Sequence, residues 1–409
     1  MTVTDTQRTD GSSDTSGVDP DEARVAALVE QLLAECPPDT TSEQEFLGRQ
    51  YDLGLAWVQF PEGFGGLGLS PRLNRTWMSR IARAGGPIGG WKNPIGYGMC
   101  APALVVHGTD EQKHKHLRPL FTNEHIWCQL FSEPGAGSDV ASLAMKAELD
   151  GDEWLVNGQK VWTTLAHISA YGLLIARTDP ELPKHRGITA FIVDMAAPGV
   201  ETRPLRQMTG DAEFNEVYFT DVRIPDADRL DEIGRGWGVS ITTLMNERVS
   251  IGGGTPPRNS GPIGQLWDLW KETALDDPAM RDEFMQLWVG AEVNRLTNMR
   301  AAAGRKTGTP GPEGSIAKLA MAELNKKIYS FALNVKGAAG MLYGNYVHPP
   351  SKMALFGDDM QSNFLRARAN SIEGGTTEVM KNIVGERVLG LPGDIRADKE
   401  LPWSQVPRS

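Results

Sequence analysis

The hydrophobic period of this chain changes twice. From Asp21, the residues Ala23, Val25, Ala26, Leu28, Val29, Leu32 and Leu33 recur at helical spacing. Between Ile126 and about Ile233 apolar and polar residues alternate in short runs, and after Gly234 the helical spacing returns. A helix buries a stripe and a strand buries a face, so such a chain must fold as helices, then strands, then helices. We expect an α+β multidomain protein with an N-terminal helical domain over 21–125, a small β-barrel or sandwich over 126–233 and a C-terminal helical bundle over 234–395. Residues 1–20, rich in Thr, Ser, Asp and Gly, cannot bury a core and read as a disordered tail, and 396–409 as a second tail.

Helical spacing also marks 43–53, 71–84, 95–107 and 110–121, the last opened by the capping run Thr109-Asp110-Glu111. In the middle, 144–149 and 153–156 flank Asp150-Gly151-Asp152 as a hairpin, and Asn157-Gly158 marks a second turn. Further strands are expected over 173–177, 188–194 and 217–224, and further helices over 236–251, 278–304, 314–338, 358–370 and 376–388.

Composition removes several function classes. A formal charge of -11 argues against a nucleic-acid partner, which needs a basic surface. No apolar run reaches the ~18 residues of a membrane span. The polar, acidic start does not read as a secretory signal, so a cytoplasmic protein is expected. Cys36, Cys100 and Cys128 are far apart and fit reduced thiols. His114 and His116 point to different sides of a helix, so no shared metal is expected and the segment reads as a solvated face.

The chemistry lies in three short segments. Ser132-Glu133-Pro134-Gly135-Ala136-Gly137-Ser138-Asp139 follows an apolar strand. Pro134 fixes a turn, and Gly135 and Gly137 let backbone N–H groups approach an anion with no Cβ between, although a plain glycine-rich hairpin would look the same. Lys160-Val161-Trp162-Thr163-Thr164 lies on a later strand, with Trp162 and Thr164 on one face. There an indole and a hydroxyl can cover one side of a flat heterocycle; a half-buried barrel tryptophan is the alternative. Leu244-Met245-Asn246-Glu247-Arg248-Val249 sets a carboxylate beside a guanidinium among apolar helix residues. Gly63-Phe64-Gly65-Gly66-Leu67-Gly68 satisfies a dinucleotide fingerprint but lacks the strand–turn–helix context, so it reads as a structural turn.

Together these segments resemble the acyl-CoA dehydrogenase family over roughly residues 45–393. The resemblance implies an FAD enzyme that takes the α-proton of an acyl-CoA thioester, passes the β-hydride to flavin N5 and leaves trans-2-enoyl-CoA. Electrons would then pass to an electron-transfer flavoprotein. It implies that Leu130, Ser132, Gly137, Ser138, Trp162, Thr164, Thr376 and Glu378 hold FAD, Ser132 at the pyrimidine edge and Ser138 at the pyrophosphate or the CoA side. It further implies substrate contacts from Ser138, Arg248 and Gly374, whose N–H would donate to the thioester carbonyl together with a ribityl hydroxyl.

Members of the family place the base at one of two positions. One is the loop that here reads Ile372-Glu373-Gly374-Gly375-Thr376-Thr377-Glu378; aligned on its Gly-Thr pair, the base position falls on Gly374. The other, as in isovaleryl- and long-chain-type members, is the helix residue before a characteristic arginine, here Glu247 before Arg248. Glu247 is therefore the expected base, with Arg248 supporting it and burial raising its pKa toward working pH. Glu373, one residue out of register, is the alternative.

The chain departs from the family after this helix. Typical members continue into Arg-x-x-Phe-Gly, whose arginine contacts the FAD of a neighbouring subunit. Here Gly252-Gly253-Gly254-Thr255-Pro256-Pro257-Arg258 breaks the helix, and Arg258 is the nearest substitute. This leaves a homotetramer or an α2β2 heterotetramer, in which a second acyl-CoA dehydrogenase-like subunit shares the FAD. A flavin-dependent monooxygenase and a non-catalytic partner subunit use the same scaffold; Glu247 argues against the first, and the intact signature segments against the second. Gly85-Gly86-Pro87-Ile88-Gly89-Gly90-Trp91 lies where the family places part of its acyl pocket, and its small residues would admit a bulky chain such as a sterol side chain.

Overall fold

The computed structural model describes residues 19–90, 92–252, 255–273, 276–304, 313–343, 359–393, 395 and 398–407. Helices α1 (Pro20–Glu35), α2 (Glu43–Asp52), α3 (Asn74–Arg83), α4 (Ala101–His107) and α5 (Asp110–Phe121) come first. Asp19 and Ser42 cap α1 and α2, and Thr109 forms a reciprocal capping box with Gln112 on α5. Val25, Val29 and Leu32 of α1 pack against Phe46, Trp77 and Ile81. The glycines of 63–68 form a turn packed on 56–60, as the missing strand–turn–helix context requires.

The strands are β1 (Trp127–Leu130), β2 (Lys146–Asp150), β3 (Glu153–Thr164), β4 (Tyr171–Arg177), β5 (Ile188–Asp194), β6 (Val200–Leu205), β7 (Phe214–Pro225) and β8 (Arg229–Leu230). They pair in the order β6-β7-β3-β2-β4-β5-β8, with β1 parallel to β4. Between β2 and β4 the register holds a single pair, Lys146 with Arg177. The sheet therefore folds at that joint into two facing halves. Trp154, Val156, Val217 and Phe219 meet Leu130, Leu174, Phe191 and Val193 in one core, with the Trp154 and Phe191 rings 5.3 Å apart.

Asn157-Gly158 is not a turn. β3 runs through it with a shift in its pairing to β7. Gly158 has φ 146°, and a Cβ there would stand 3.0 Å from the Met145 backbone, so conformation and close approach together favour glycine. β6 escapes the periodicity because it is a polar strand at the end of the sheet, Val200-Glu201-Thr202-Arg203-Pro204-Leu205, with the proline that edge strands tolerate.

Helices α6 (Gly236–Gly252), α7 (Gly261–Thr273), α8 (Pro278–Gly304), α9 (Glu313–Lys336), α10 (Met360–Arg366) and α11 (Thr377–Ile383) complete the chain. Leu266, Phe284, Ile328, Tyr329 and Phe331 fill their core. α7 is hidden in the sequence by the glycine–proline run before it. It starts anew with Pro262 in its first turn, where a missing N–H costs nothing.

Two expectations need correction. His116 is buried, not solvated: its ring meets Trp127 and Tyr171 edge-on, and burial pushes its pKa down to about 4. The stretch 398–407 is no loose tail either. Trp403 donates its indole N–H to Ser142 O at 3.3 Å and lies under the Arg177 guanidinium at 4.8 Å. Asp398 pairs with Lys184 at 3.0 Å, and Trp403 N donates to Leu182 O at 2.9 Å. Residues 1–18, most of the expected N-terminal tail, lie outside the described residues.

Candidate active site

Lys160 on β3 is fully buried, with its ammonium 2.8 Å from Glu133 Oε1 and donating to Phe131 O at 2.9 Å. Glu133 also accepts from Ala144 N at 2.6 Å and Met145 N at 3.0 Å. Both charges are thus paired and bonded, as buried ions must be. The pair fastens the 132–139 segment to the strand that carries Trp162, and Val161 N adds a bond to Ser132 O at 2.9 Å.

Above this anchor Glu133 and Ala136 exchange two backbone hydrogen bonds of 3.0 Å, closing a tight turn that leaves Gly135, Gly137 and Ser138 exposed. Neither glycine has a left-handed φ, and a Cβ on either would meet nothing within 4 Å. The protein's own packing therefore does not require glycine at these positions. A group laid across the turn would require it, because a Cβ would fill the space it needs.

The pairing of β3 slips between Lys160 and Thr163, and Trp162 sits there at φ 60°. A bulky residue in the left-handed region costs on the order of 1–3 kcal/mol. The bulge turns the indole outward: Trp162 is 60% exposed, Thr164 lies half-buried on the same side and Thr163 is buried on the other. The Trp162 ring stands edge-on to Phe214 at 6.0 Å. Leu130 differs from expectation, since its side chain is wholly inside the β core. Any cofactor contact there is left to its main chain.

Glu247 on α6 lies where β1, α9 and the 372–376 loop converge. Its Oε2 accepts from Gln129 Nε2 of β1 at 3.5 Å, a long hydrogen bond. Burial pushes its pKa up to about 7; the charge of Glu373 adds to the rise, while Gln129, Arg248 and Lys318 oppose it. Arg248 is half-buried, and its Nε has no hydrogen-bond partner among the described residues. Lys318 on α9 is fully buried and donates to Gly375 O at 2.5 Å.

The neighbouring carboxylate is differently placed. Glu373 accepts from Arg366 Nη1 at 3.1 Å and Nη2 at 2.8 Å, and from Asn370 Nδ2 at 2.8 Å. Gly374 and Gly375 follow with φ of 62° and 92°, conformations natural only to glycine. Thr376 caps α11, its Oγ1 accepting from Val379 N at 3.2 Å, which leaves its hydroxyl proton to donate. Glu378 is exposed on the first turn of α11. The Arg366 guanidinium also lies 5.8 Å from the Phe214 ring, which links this loop to the Trp162 face.

Two expectations about the surroundings change. Gly86 packs on Ile81 and Phe46, and Gly89 on Phe121 and Leu47, inside the N-terminal helices, while Trp91 lies outside the described residues. The N-terminal residues that meet the Glu247 helix are those of 96–107: a Cβ on Gly98 would come 2.5 Å from Ser250 Oγ, and His107 Nε2 lies 2.8 Å from Thr242 Oγ1. Arg258 is engaged within its own chain, 4.8 Å over the Trp288 ring with Nε 3.7 Å from Glu292. Gly253 and Gly254 lie outside the described residues.

Sequence reasoning missed Gln129, Lys318, Arg366 and the Glu133–Lys160 pair. Lys318 left a trace: it stands with Ala322, Asn325 and Tyr329 on the buried face of α9, where a lone lysine needs a reason. Gln129 left none, because its partner is distant in sequence.

Models of known families match the same three parts: the acyl-CoA dehydrogenase N-terminal domain over 22–124, the middle domain over 128–222 and the C-terminal domain over 234–389. The chain is 37% identical over 345 residues to acyl-CoA dehydrogenase IpdE1 of Mycobacterium tuberculosis, covering 84% of this chain and 86% of that protein. The solved ChsE4-ChsE5 complex from the same organism superposes with a TM-score of 0.69 at 28% identity, over 93% of this chain and 100% of that one. A Tcur3481-Tcur3483 steroid ACAD gives 0.69 at 25% identity, over 92% and 99%. Fold and relatives together define a flavoprotein oxidoreductase. The chain belongs to the acyl-CoA dehydrogenase family, whose members bind FAD.

The empty space over Gly135 and Gly137 gives a direct test of whether this turn cradles the cofactor. Gly135→Ala and Gly137→Ala should leave the stability of the apoprotein within ~0.5 kcal/mol while lowering the flavin absorbance retained per protein. Unchanged flavin content in both variants would remove the turn from the cofactor site. Lys160→Met alone should cost about 3–5 kcal/mol in denaturant unfolding, and adding Glu133→Gln should recover much of it.

Proposed function

We propose that this chain dehydrogenates an acyl-CoA thioester to its trans-2-enoyl-CoA with Glu247 as the base. The observation that carries this reading is the contrast between two carboxylates. Burial holds Glu247 at a pKa of about 7, whereas the oxygens of Glu373 are committed to Arg366 and Asn370. A base that is half ionised near neutrality can take a proton and part with it again.

FAD, when bound, supplies the hydride acceptor. The residues present fit it: Gly137 and Ser138 on the open turn, Ser132 beside it, the outward Trp162 with Thr164, the main chain of Leu130, and Thr376 and Glu378 at the start of α11. Glu247 takes the α-proton. The Gly374 N–H donates to the thioester carbonyl as enolate charge develops there. Arg248 supports the base, its charge opposing the rise in the Glu247 pKa, and Ser138 meets the CoA side. Electrons leave to an electron-transfer flavoprotein in a cytoplasmic setting. Among the described residues no helix is long and apolar enough to cross a membrane.

We favour a bulky, steroid-derived acyl group, because a solved neighbour is named a steroid ACAD. We also favour an α2β2 assembly. The helix breaks after α6 where homotetrameric members carry their cofactor arginine, Arg258 in that run lies over Trp288 beside Glu292, and a solved relative is a complex of two named proteins.

Glu247→Gln should keep FAD bound and slow flavin bleaching by acyl-CoA about 10²–10⁴-fold. In the unmutated enzyme the bleaching rate should rise with pH through about 7 and level off above it, since only the ionised carboxylate accepts the proton. Near-normal turnover in Glu247→Gln, with Glu373→Gln inactive, would move the base to the loop. For the assembly, the chain expressed alone should be poor in FAD, and co-expression with a second acyl-CoA dehydrogenase-like subunit should restore it. A stable homotetramer of the lone chain with full flavin and full activity would end that idea.

A further inference from the structure

A buried lysine needs compensation, and Lys318 has an unusual set of neighbours. It is fully buried on α9, and its one hydrogen-bond partner among the described residues is the Gly375 carbonyl, 2.5 Å away. The charges that act on it are Glu373 and Glu247, then Arg248 and Glu323. The groups that face Glu247 in turn are Gln129 from β1, Glu373 from the loop, Arg248 from its own helix and Lys318 from α9. Lys318 is thus the cation contributed by α9 to a site that holds two carboxylates.

The loop it touches needs holding. Consecutive glycines at φ 62° and 92° have many alternatives open to them. Further along α9, Glu323 accepts from Thr377 Oγ1 at 3.2 Å and Asn325 donates to Asn370 Oδ1 at 3.3 Å. These contacts grip the loop on either side. Lys318 grips it at the glycines, next to the Gly374 N–H that would meet the thioester carbonyl.

We propose that Lys318 is a positioning residue: it fixes the 372–376 loop through the Gly375 carbonyl and sets a cation beside the Glu247 and Glu373 carboxylates. This rests on Glu247 as the base. The two roles separate chemically. A neutral side chain with a donor can keep the loop in place and cannot replace the charge. An apolar one does neither.

The test uses the FAD-loaded enzyme, with its partner subunit where loading needs one. Lys318→Met and Lys318→Gln are compared by amide hydrogen exchange of the 372–378 peptide without substrate. They are also compared by the pH profile of anaerobic flavin bleaching. The probe is whichever of octanoyl-CoA, isovaleryl-CoA or a steroid side-chain CoA bleaches the unmutated enzyme fastest. Lys318→Met should speed exchange about tenfold, as expected for one lost charge-assisted hydrogen bond. It should also slow bleaching about tenfold, less than the ~10²–10³ lost with an oxyanion donor, and move the ascending pH limb upward. Lys318→Gln should move the limb upward with exchange close to that of the unmutated protein. An unmoved limb in both variants, or unchanged exchange in Lys318→Met, overturns the proposal; if Lys318→Met does not fold, the limb of Lys318→Gln decides. A pH limb that survives in Glu247→Gln instead defeats the base assignment, while the exchange result still reads the hold of Lys318 on the loop.

Discussion

The Glu133–Lys160 pair is the contact on which the site rests. It joins a glycine-bearing turn to a strand far along the chain, and it does so beneath both, out of water. Its reach is wider than the turn. Glu133 also holds the N–H groups of Ala144 and Met145, just before β2, and Met145 O accepts from Arg177 N at 2.7 Å. Arg177 then binds the carbonyls of Ala141, Leu143 and Lys184. The joint between the two half-sheets and the glycine-bearing turn therefore share one set of buried charges. Replacing one member alone leaves an unpaired ion inside the protein, which is worse than having neither.

Nearer the chemistry, the same kind of residue is given opposite work by its surroundings. Glu373 sits in a fork of Arg366 with Asn370 added, so both its oxygens are already bonded. Glu247 has, among the described residues, one long hydrogen bond to Gln129, and burial raises its pKa to about 7, so its proton is loosely held near neutrality. The difference is made by neighbours from four separate stretches of chain, and no one of them decides it.

What the sequence showed and what it hid follow from the range of the interactions. α5 was legible because its capping box is local, and β5 because its apolar run needs no partner to be recognised. β6 and α7 were hidden for local reasons too, one by a polar edge and the other by a breaker just ahead of it. Glu247 and Trp162 could be picked out by their setting in short motifs. Gln129 and Arg366 could not, since what they do depends on residues 118 and 7 positions away that only the folded chain brings to them. Asn157-Gly158 misled because a glycine that yields to a neighbouring strand looks the same as one that turns.

The stretch 398–407 has a practical bearing. Its indole lies against Arg177 and Ser142, and its Asp398 shares Lys184 with Asp139, the last residue of the glycine-bearing turn. The stretch 398–407 is thus part of the footing of the glycine-bearing turn, although it lies more than two hundred residues from it in sequence. A truncation that removes 398–407 would undercut the turn from outside.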